Sequence, residues 1–246
     1  MSRQRRTPSL EQVEIIRWTG SLGAVSAGAL AHRMGVSVAS ARARLVVAQR
    51  NGWLACSRPL AERPALYTAT AAGLRACGAR GIEPGRVSAA GAMHLLACAH
   101  VAAALERCYP DHRVLGERET RRAERERGHP LASAELGVGA HGEPLLHRCD
   151  LVLWPSAPDH ALPVAVEVEL TIKAPARLTA ICRAWARCRR VAGVLYVAPP
   201  GVRRALKRAV ERACAGERIV IVGFDALPGQ GEHGDGPGES SVPSGS

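Results

Sequence analysis

The chain of 246 residues is long enough for one large domain or two small ones, each with its own hydrophobic core. Hydrophobic residues at 47% argue against wholesale disorder, and aromatic residues at 3% argue against a base-stacking platform built on several rings. Basic residues outnumber acidic ones by 33 to 22, a net charge of +11 that favours a polyanionic partner such as nucleic acid.

The cysteine pattern and the longest apolar stretch bear on the cellular compartment. None of the eight cysteines stands in a C-x-x-C pair, and the N-terminus is charged rather than apolar. We therefore expect reduced thiols in a cytoplasmic protein. The longest uncharged run, Val87 to Leu105, is mostly alanine and predicts a buried helix rather than a membrane span.

Three helices are predicted in the first part of the chain, over Ser9–Leu22, Ala27–Met34 and Val38–Asn51. Gly35 ends the second helix, and Ser37 is a suitable N-cap for the third. Helix, glycine-containing turn and helix over residues 27–51 are typical of a helix-turn-helix.

A hairpin is predicted after the third helix. Residues 52–57 and 65–68 are typical of two short strands, and another helix begins near Thr70. Three helices, a hairpin and a closing helix predict a winged helix over residues 8–80. The run NGWL…RPALYTATAAGLRA resembles the wing of many bacterial winged-helix regulators.

The charge surplus is concentrated in this part of the chain. Residues 1–86 carry thirteen basic and four acidic side chains, a net charge of +9, which favours contacts with DNA phosphates. The start of a third helix and the loop of a wing are where such folds contact DNA. The predicted DNA-binding residues are Ser37, Ser40, Arg42, Arg44, Arg50, Arg58 and Arg63. A flexible arm with Arg3, Arg5 and Arg6 adds salt-sensitive affinity.

The pattern changes after a linker predicted at residues 80–86. Residues 88–225 predict a mixed α/β domain, and the Gly/Pro/Ser-rich residues 226–246 predict a disordered tail. Residues 120–147, charged and glycine-rich, predict a long loop or insertion. The predicted helices are Val87–Cys108, Pro175–Arg190 and Val202–Ala215, and the predicted strands are Arg113–Glu119, Cys149–Trp154, Leu162–Ile172, Gly193–Ala198 and Arg218–Phe224.

One predicted strand carries acidic residues on a single face. Glu167, Glu169 and Lys173 share one parity between Leu162 and Lys173, while valines and a leucine occupy the other. Asp150 stands at the start of the preceding strand, so it is expected beside Glu167. Buried carboxylates need partners, and Mg²⁺ or Mn²⁺ is one such partner.

The order αβββαβ, with Asp150 on the second strand and an acidic motif on the third, is similar to the PD-(D/E)XK restriction-endonuclease-like superfamily. With the winged helix and the run AVEVELTIKAPARL, residues 8–225 resemble the bacterial replication-relaxation family. This resemblance implies a role in the replication or transfer of plasmids or integrative elements. It also implies a metal-dependent cleavage site, with catalytic residues at Glu119, Asp150, Glu167 and Lys173 and metal ligands at Asp150, Glu167 and Glu169.

The sequence departs from the nuclease pattern at one position. Those nucleases place lysine two residues after the second acid, where this chain has Glu169, and Lys173 follows four residues later. Lys173 has therefore migrated or the site is inactive. Glu117 is the rival of Glu119 as the additional acid. His94 and His100 are predicted to be core or partner-facing residues rather than metal ligands.

Several interpretations of the function remain open at this point. The favoured one is a protein that binds double-stranded DNA, with an α/β domain that either cuts with Mg²⁺ or keeps the fold without cutting. The alternative is a transcription regulator whose α/β domain mediates homodimerisation. A third is a module that recruits replication or conjugation proteins. In a less specific reading, Glu167 and Glu169 lie on a solvated edge strand, Lys173 is a surface residue and Asp150 caps a strand.

Overall fold

A computed structural model describes residues 7–156 and 162–227 and shows a mixed α/β protein, as predicted. The predicted arm with Arg3, Arg5 and Arg6 lies outside the described residues, as does nearly all of the predicted tail.

The three N-terminal helices form where the sequence predicts them. They are α1 (Leu10–Leu22), α2 (Ala27–Met34) and α3 (Val38–Arg50). Each begins with a serine whose hydroxyl accepts a hydrogen bond from a backbone N–H of the first turn, namely Ser9, Ser26 and Ser37. Gly35 ends α2 with a left-handed φ of 65°, which turns the chain sharply into α3.

The predicted hairpin and closing helix follow. Strands β1 (Leu54–Ser57) and β2 (Leu66–Ala69) pair antiparallel, and α4 (Ala71–Ala76) comes directly after them. Gly73 of α4 lies against the backbone of Trp53, where a Cβ would stand 2.2 Å from the carbonyl oxygen. A side chain at this position would therefore push the hairpin away from α4.

The remaining chain forms a five-stranded sheet, a separate hairpin and four helices. The elements in chain order are α5 (Ala89–Cys108), β3 (His112–Gly116), α6 (Glu117–Arg127), β4 (Ser133–Val138), β5 (Pro144–Arg148), β6 (Leu151–Pro155), β7 (Val164–Val168), α7 (Pro175–Arg187), β8 (Gly193–Val197), α8 (Pro200–Arg212) and β9 (Ile219–Val222), with a short 3-10 helix at Phe224–Ala226. The sheet order is β3-β6-β7-β8-β9. β6 runs antiparallel to both of its neighbours, β3 and β7, and β8 and β9 run parallel to β7.

Helices cover both faces of this sheet. α5 packs on one face, where Val166 and Val168 of β7 belong to its core, while α7 and α8 pack on the other face around Trp185, Tyr196 and Leu206. By length and composition α5 is apolar enough to cross a membrane, but half of its most apolar window is buried inside the protein. α5 is thus a core helix of this fold, as the sequence predicts.

The N-terminal helices share the α5 core. Ile16 of α1, Leu30 of α2 and Leu45 of α3 are fully buried in the same apolar cluster as Leu105 of α5 and Val166 of the sheet. The predicted linker, residues 80–86, contains no helix or strand. α6 holds it, because Arg118 donates to the carbonyl oxygens of Glu83 and Pro84 at 2.9 and 3.3 Å.

The prediction of a long loop over residues 120–147 is wrong. This segment contains most of α6 and the hairpin of β4 and β5. α6 has almost no apolar periodicity, but it is supported by ion pairs such as Arg121 with Glu117 at 2.6 Å. The predicted strand at Arg113–Glu119 consequently ends earlier, at Gly116, where α6 begins.

Two other predicted strands are too long. The strand predicted over Leu162–Ile172 spans only Val164–Val168, because its partner β8 ends opposite Val168 and the chain then turns toward α7. The strand predicted over Arg218–Phe224 spans Ile219–Val222 and is followed by the 3-10 helix. The helices α7 and α8 each end three residues before their predicted ends.

Glu124 joins α6 to the hairpin. Its carboxylate accepts hydrogen bonds from Ser133 Oγ at 2.7 Å, from the Leu131 N–H at 3.0 Å and from Arg148 Nε at 3.0 Å. Burial raises the pKa of Glu124, but these three hydrogen bonds outweigh burial and hold the pKa below its ordinary value.

We expect Glu124→Gln to lower the free energy of unfolding at neutral pH by about 1–3 kcal/mol, because buried donors lose a charged acceptor. A lowered pKa stabilises the fold only while the carboxylate is ionised. The difference from the unmodified protein should therefore shrink as pH falls through the native-state pKa of Glu124. Urea denaturation at several pH values measures this difference.

Glu126→Gln on the same helix is the matched control, because its side chain is 61% exposed and its ion pair with Arg122 spans 3.6 Å. Equal stability of the Glu124 and Glu126 variants would contradict the role assigned to Glu124.

Candidate functional site

Acidic side chains gather where β7 ends beside the start of β6. The register pairs Leu151 with Val166, so Asp150 lies next to the end of β7. Asp150 Oδ2 accepts a hydrogen bond from the Val168 N–H at 2.8 Å. The two predicted acids thus lie close together, and the negative charge of Asp150 adds to burial in raising the pKa of Glu167.

Glu167 is buried and has two donors. It is 5% exposed, and its Oε1 contacts His147 Nε2 at 2.7 Å and accepts a hydrogen bond from Trp185 Nε1 at 3.0 Å. Burial raises the pKa of Glu167, against the opposing effect of His147. Burial lowers the pKa of His147, but the hydrogen bond and charge of Glu167 outweigh burial and raise it. The two side chains therefore form a hydrogen-bonded pair in which each opposes the effect of burial on the pKa of the other.

Asp150 contacts His94 of α5, which in turn contacts Cys98 on the same helix. Its Oδ1 is 2.9 Å from His94 Nε2, and the Cys98 Sγ is 3.4 Å from the same nitrogen. The hydrogen bond to Asp150 raises the pKa of His94, although burial opposes it. Burial raises the pKa of Cys98 well above its ordinary value, and the negative charge of Asp150 adds to the effect.

Glu169 and Lys173 form an ion pair. Glu169 is 5% exposed, its N–H donates to the Val197 carbonyl oxygen at 3.0 Å, and its Oε2 accepts from Lys173 Nζ. Between Glu169 and Lys173 the chain leaves the sheet and turns, and this turn brings the lysine side chain back to the Glu169 carboxylate. The positive charge of Lys173 also acts on Glu167 and His147, so Lys173 belongs to the cluster.

The additional predicted acid, Glu119, lies elsewhere. Its carboxylate pairs with Arg113 of β3 at 3.3 Å. Glu117, the rival at the sequence level, donates its backbone N–H to the Asp150 carbonyl oxygen at 3.0 Å, and its charge acts on Cys98. Of these two acids, the structure brings Glu117 to the cluster.

Four residues of the cluster were not predicted from the sequence to belong to the site: His94, Cys98, His147 and Trp185. His94 and Cys98 stand four apart, a spacing that places two ligand-type side chains on one helix face. His147 falls in the segment predicted to be a loop, and only the pairing of β4 with β5 brings it to Glu167. Nothing in the sequence around Trp185 indicates that its indole N–H donates to Glu167.

Most of the carboxylate oxygens of the expected Mg²⁺ or Mn²⁺ ligands, Asp150, Glu167 and Glu169, already face donors of the protein. Both oxygens of Asp150 face N–H groups, Glu167 Oε1 faces two, and Glu169 Oε2 faces an ammonium group. A hard divalent cation needs several free oxygen ligands, so it would have to displace these donors. The cluster neutralises its carboxylates with the protein's own groups instead.

The predicted DNA-binding residues fall into two groups. Ser37, Ser40 and Arg44 are engaged within the protein: Ser37 Oγ accepts the Ser40 N–H at 3.2 Å, and Arg44 donates to Glu11 and to the Ser40 hydroxyl. The others are exposed and form no ion pair within residues 7–156 and 162–227: Arg42, Arg50, Arg58 and Arg63.

Two of these arginines, Arg42 of α3 and Arg58 after β1, act electrostatically on Tyr67 of β2. Burial raises the pKa of Tyr67, and the positive charges of Arg42 and Arg58 both oppose this rise. We call the four arginines 42, 50, 58 and 63 the basic surface.

No protein-family model, curated protein or solved structure matches this chain.

We expect Lys173→Met to lower the free energy of unfolding by about 1–3 kcal/mol, because it leaves the buried Glu169 carboxylate without its cation. The double variant Lys173→Met with Glu169→Gln should recover part of this loss, because no unpaired charge then remains. Thermal and urea denaturation measure both effects.

The exposed Lys207, the other lysine of the chain, provides the matched control Lys207→Met, which we expect to change the free energy of unfolding by no more than about 0.5 kcal/mol. A Lys173→Met variant as stable as the control would contradict a buried ion pair at Glu169.

Proposed function

We propose that this protein binds double-stranded DNA through α3 and the β1–β2 hairpin, and that its α/β domain has a nuclease-like fold that does not cut. The role we propose is that of the replication-relaxation family, in the replication or transfer of a plasmid or integrative element. The observation that carries the proposal is that the four arginines of the basic surface, on α3 and in the β1–β2 hairpin, are exposed and form no ion pair within the described residues.

The order of the N-terminal elements supports a winged helix. α2 and α3 are joined by the tight turn at Gly35, and a two-stranded hairpin follows α3. In helix-turn-helix proteins the second helix of the motif enters the major groove, and a wing contacts the flanking backbone. α3 would hold the first of these positions, with Arg42 and Arg50 exposed, and Arg58 and Arg63 would lie at the wing.

The topology of the sheet supports a restriction-endonuclease-like domain. An antiparallel meander of β3, β6 and β7 is followed by α7 and the parallel strand β8, which gives the αβββαβ order once the α6–β4–β5 insertion is set aside. Asp150 precedes the second strand of this meander and Glu167 lies on the third, as in that superfamily.

The donors around the carboxylates favour binding without cleavage. Metal-assisted phosphodiester hydrolysis needs an ion that polarises the phosphate and acidifies a water. Here His147 and Trp185 occupy Glu167 Oε1, and Lys173 pairs with Glu169 rather than facing a free site. We also propose that the protein is cytoplasmic. All eight cysteines are free thiols in the described chain, and thiols stay reduced in that compartment.

We expect Arg42→Ala and Arg58→Ala, each in the full chain, to weaken binding to duplex DNA by about 1–3 kcal/mol if the side chain contacts a base edge. If the side chain contacts only phosphate, its replacement by alanine should instead reduce by about 1 the slope of the logarithm of the DNA-binding constant against the logarithm of the salt concentration. Fluorescence anisotropy with a labelled duplex over a series of salt concentrations distinguishes the two.

Arg204→Ala is the matched control, because Arg204 is equally exposed but lies on α8, on the far side of the sheet. The full chain is used because the N-terminal helices share their core with α5 and the sheet. Absence of duplex binding at low salt, or an equal effect of the Arg204 variant, would contradict the proposed DNA-binding surface.

Supercoiled plasmid incubated with the full chain and Mg²⁺ or Mn²⁺ should remain uncut, because the carboxylates already have protein partners. We expect Glu169→Lys, which restores the lysine spacing of the nucleases, to remain inactive as well. Metal-dependent nicking that Lys173→Ala abolishes would show that the domain is a nuclease. A gel assay for nicked and linear plasmid gives the answer.

A further inference from the structure

Three different ligand types meet between α5 and the start of β6. His94 Nε2, the Cys98 Sγ and a carboxylate oxygen of Asp150 all lie within 4.8 Å of one another. His94 and Cys98 stand one helical turn apart on α5, and Asp150 directly precedes β6 of the sheet beneath. This combination of imidazole, thiol and carboxylate is distinct from the all-oxygen set that Mg²⁺ would take.

Two of the three separations are close to those that a tetrahedral ion imposes, and the third, between the Cys98 sulfur and the Asp150 oxygen, is at most 4.8 Å. Zinc binds nitrogen and oxygen at about 2.0–2.1 Å and sulfur at about 2.3 Å, so its ligand atoms stand about 3.3–3.6 Å apart. The nitrogen and sulfur are 3.4 Å apart, within this range. The nitrogen and the Asp150 oxygen are 2.9 Å apart and need to separate by only a few tenths of an ångström.

The surroundings hold the ligands and leave a path to solvent. The Val168 N–H donates to Asp150 Oδ2 and fixes the carboxylate with its other oxygen toward α5. Cys98 is 5% exposed in the α5 core, whereas the His94 side chain is 42% exposed. A cation can therefore enter at the His94 end, while the ligand from the core is held rigidly.

We propose that His94, Cys98 and Asp150 bind a divalent transition-metal cation of the Zn²⁺ class. Imidazole and thiolate select such ions over Mg²⁺, and the negative charge of Glu117 also acts on Cys98. Three protein ligands leave a fourth position for water or an anionic oxygen. The ion would join α5 to β6 and so stabilise the fold, and this inference does not depend on DNA binding by the basic surface.

Cobalt absorption of the full chain tests the proposal directly. Protein stripped with a chelator is titrated with Co²⁺, which gives a thiolate-to-metal charge-transfer band when sulfur is a ligand, and Zn²⁺ is then added in competition. We expect the band to appear at one equivalent, to be lost on adding Zn²⁺, and to persist in millimolar Mg²⁺. Displacement by Mg²⁺ would overturn the proposal.

Variants locate the ion. Cys98→Ser should abolish the charge-transfer band, and His94→Ala should weaken Zn²⁺ binding by at least about a hundredfold, more than typical loss of an outer-shell partner. Cys108→Ser, on the same helix, is the matched control and should keep the band. A band that survives Cys98→Ser, or that Cys108→Ser removes, would place the metal elsewhere and overturn the proposal.

His94→Ala keeps the test decisive if Cys98→Ser does not fold, because the His94 side chain is partly exposed and its removal leaves the α5 core intact. Circular dichroism establishes that the variant is folded. Zn²⁺ binding by folded His94→Ala with unchanged affinity would also overturn the proposal.

Discussion

The constraint on which this fold depends is the burial of two carboxylates at the end of β7. Glu167 and Glu169 are both 5% exposed, and an isolated buried carboxylate costs several kcal/mol or more. Each therefore needs donors from other elements: His147 from β5, Trp185 from α7 and Lys173 from the loop before α7. The positions of the β4–β5 hairpin and of α7 on the sheet satisfy this requirement, and the donors occupy one oxygen of each of the two carboxylates.

The fold and part of the site could be predicted from the sequence where the signal is local. Serine caps and Gly35 mark the helices, and the alternation of valines with Glu167 and Glu169 identifies a strand. The parity of that strand also places the two acids on one face. The wrong predictions concern elements that are stabilised by residues distant in the sequence. α6 is nearly all charged, and its one buried acid, Glu124, is satisfied by residues of a hairpin that follows it.

Partner choice within the site could not be predicted for the same reason. His147 and Trp185 meet Glu167 only after the hairpin pairs and α7 packs, and nothing in their local sequence indicates this. His94 was predicted to be a core or partner-facing residue, yet its ring reaches Asp150 at 2.9 Å. The four-residue spacing of His94 and Cys98 was visible in the sequence, but it becomes informative only once the fold places Asp150 beside them.

The two halves of the chain are joined more tightly than a linker between residues 80 and 86 suggests. Gly116 at the end of β3 donates its N–H to Ser21 Oγ of α1 at 2.8 Å, and a Cβ at Gly116 would stand 2.2 Å from the Ser21 carbonyl oxygen. With the shared apolar core, this close approach fixes the basic surface relative to the acidic cluster. DNA held on α3 would therefore lie at a defined position relative to the sheet.

The central claim is that the protein's own groups, rather than a hard metal ion, neutralise the carboxylates at the end of β7. Anomalous diffraction from crystals of the full chain soaked in Mn²⁺ tests this claim most directly. The account predicts no manganese peak between Glu167 and Glu169, with His147 and Trp185 still bonded to Glu167. A manganese ion coordinated by Asp150, Glu167 and Glu169 would contradict it.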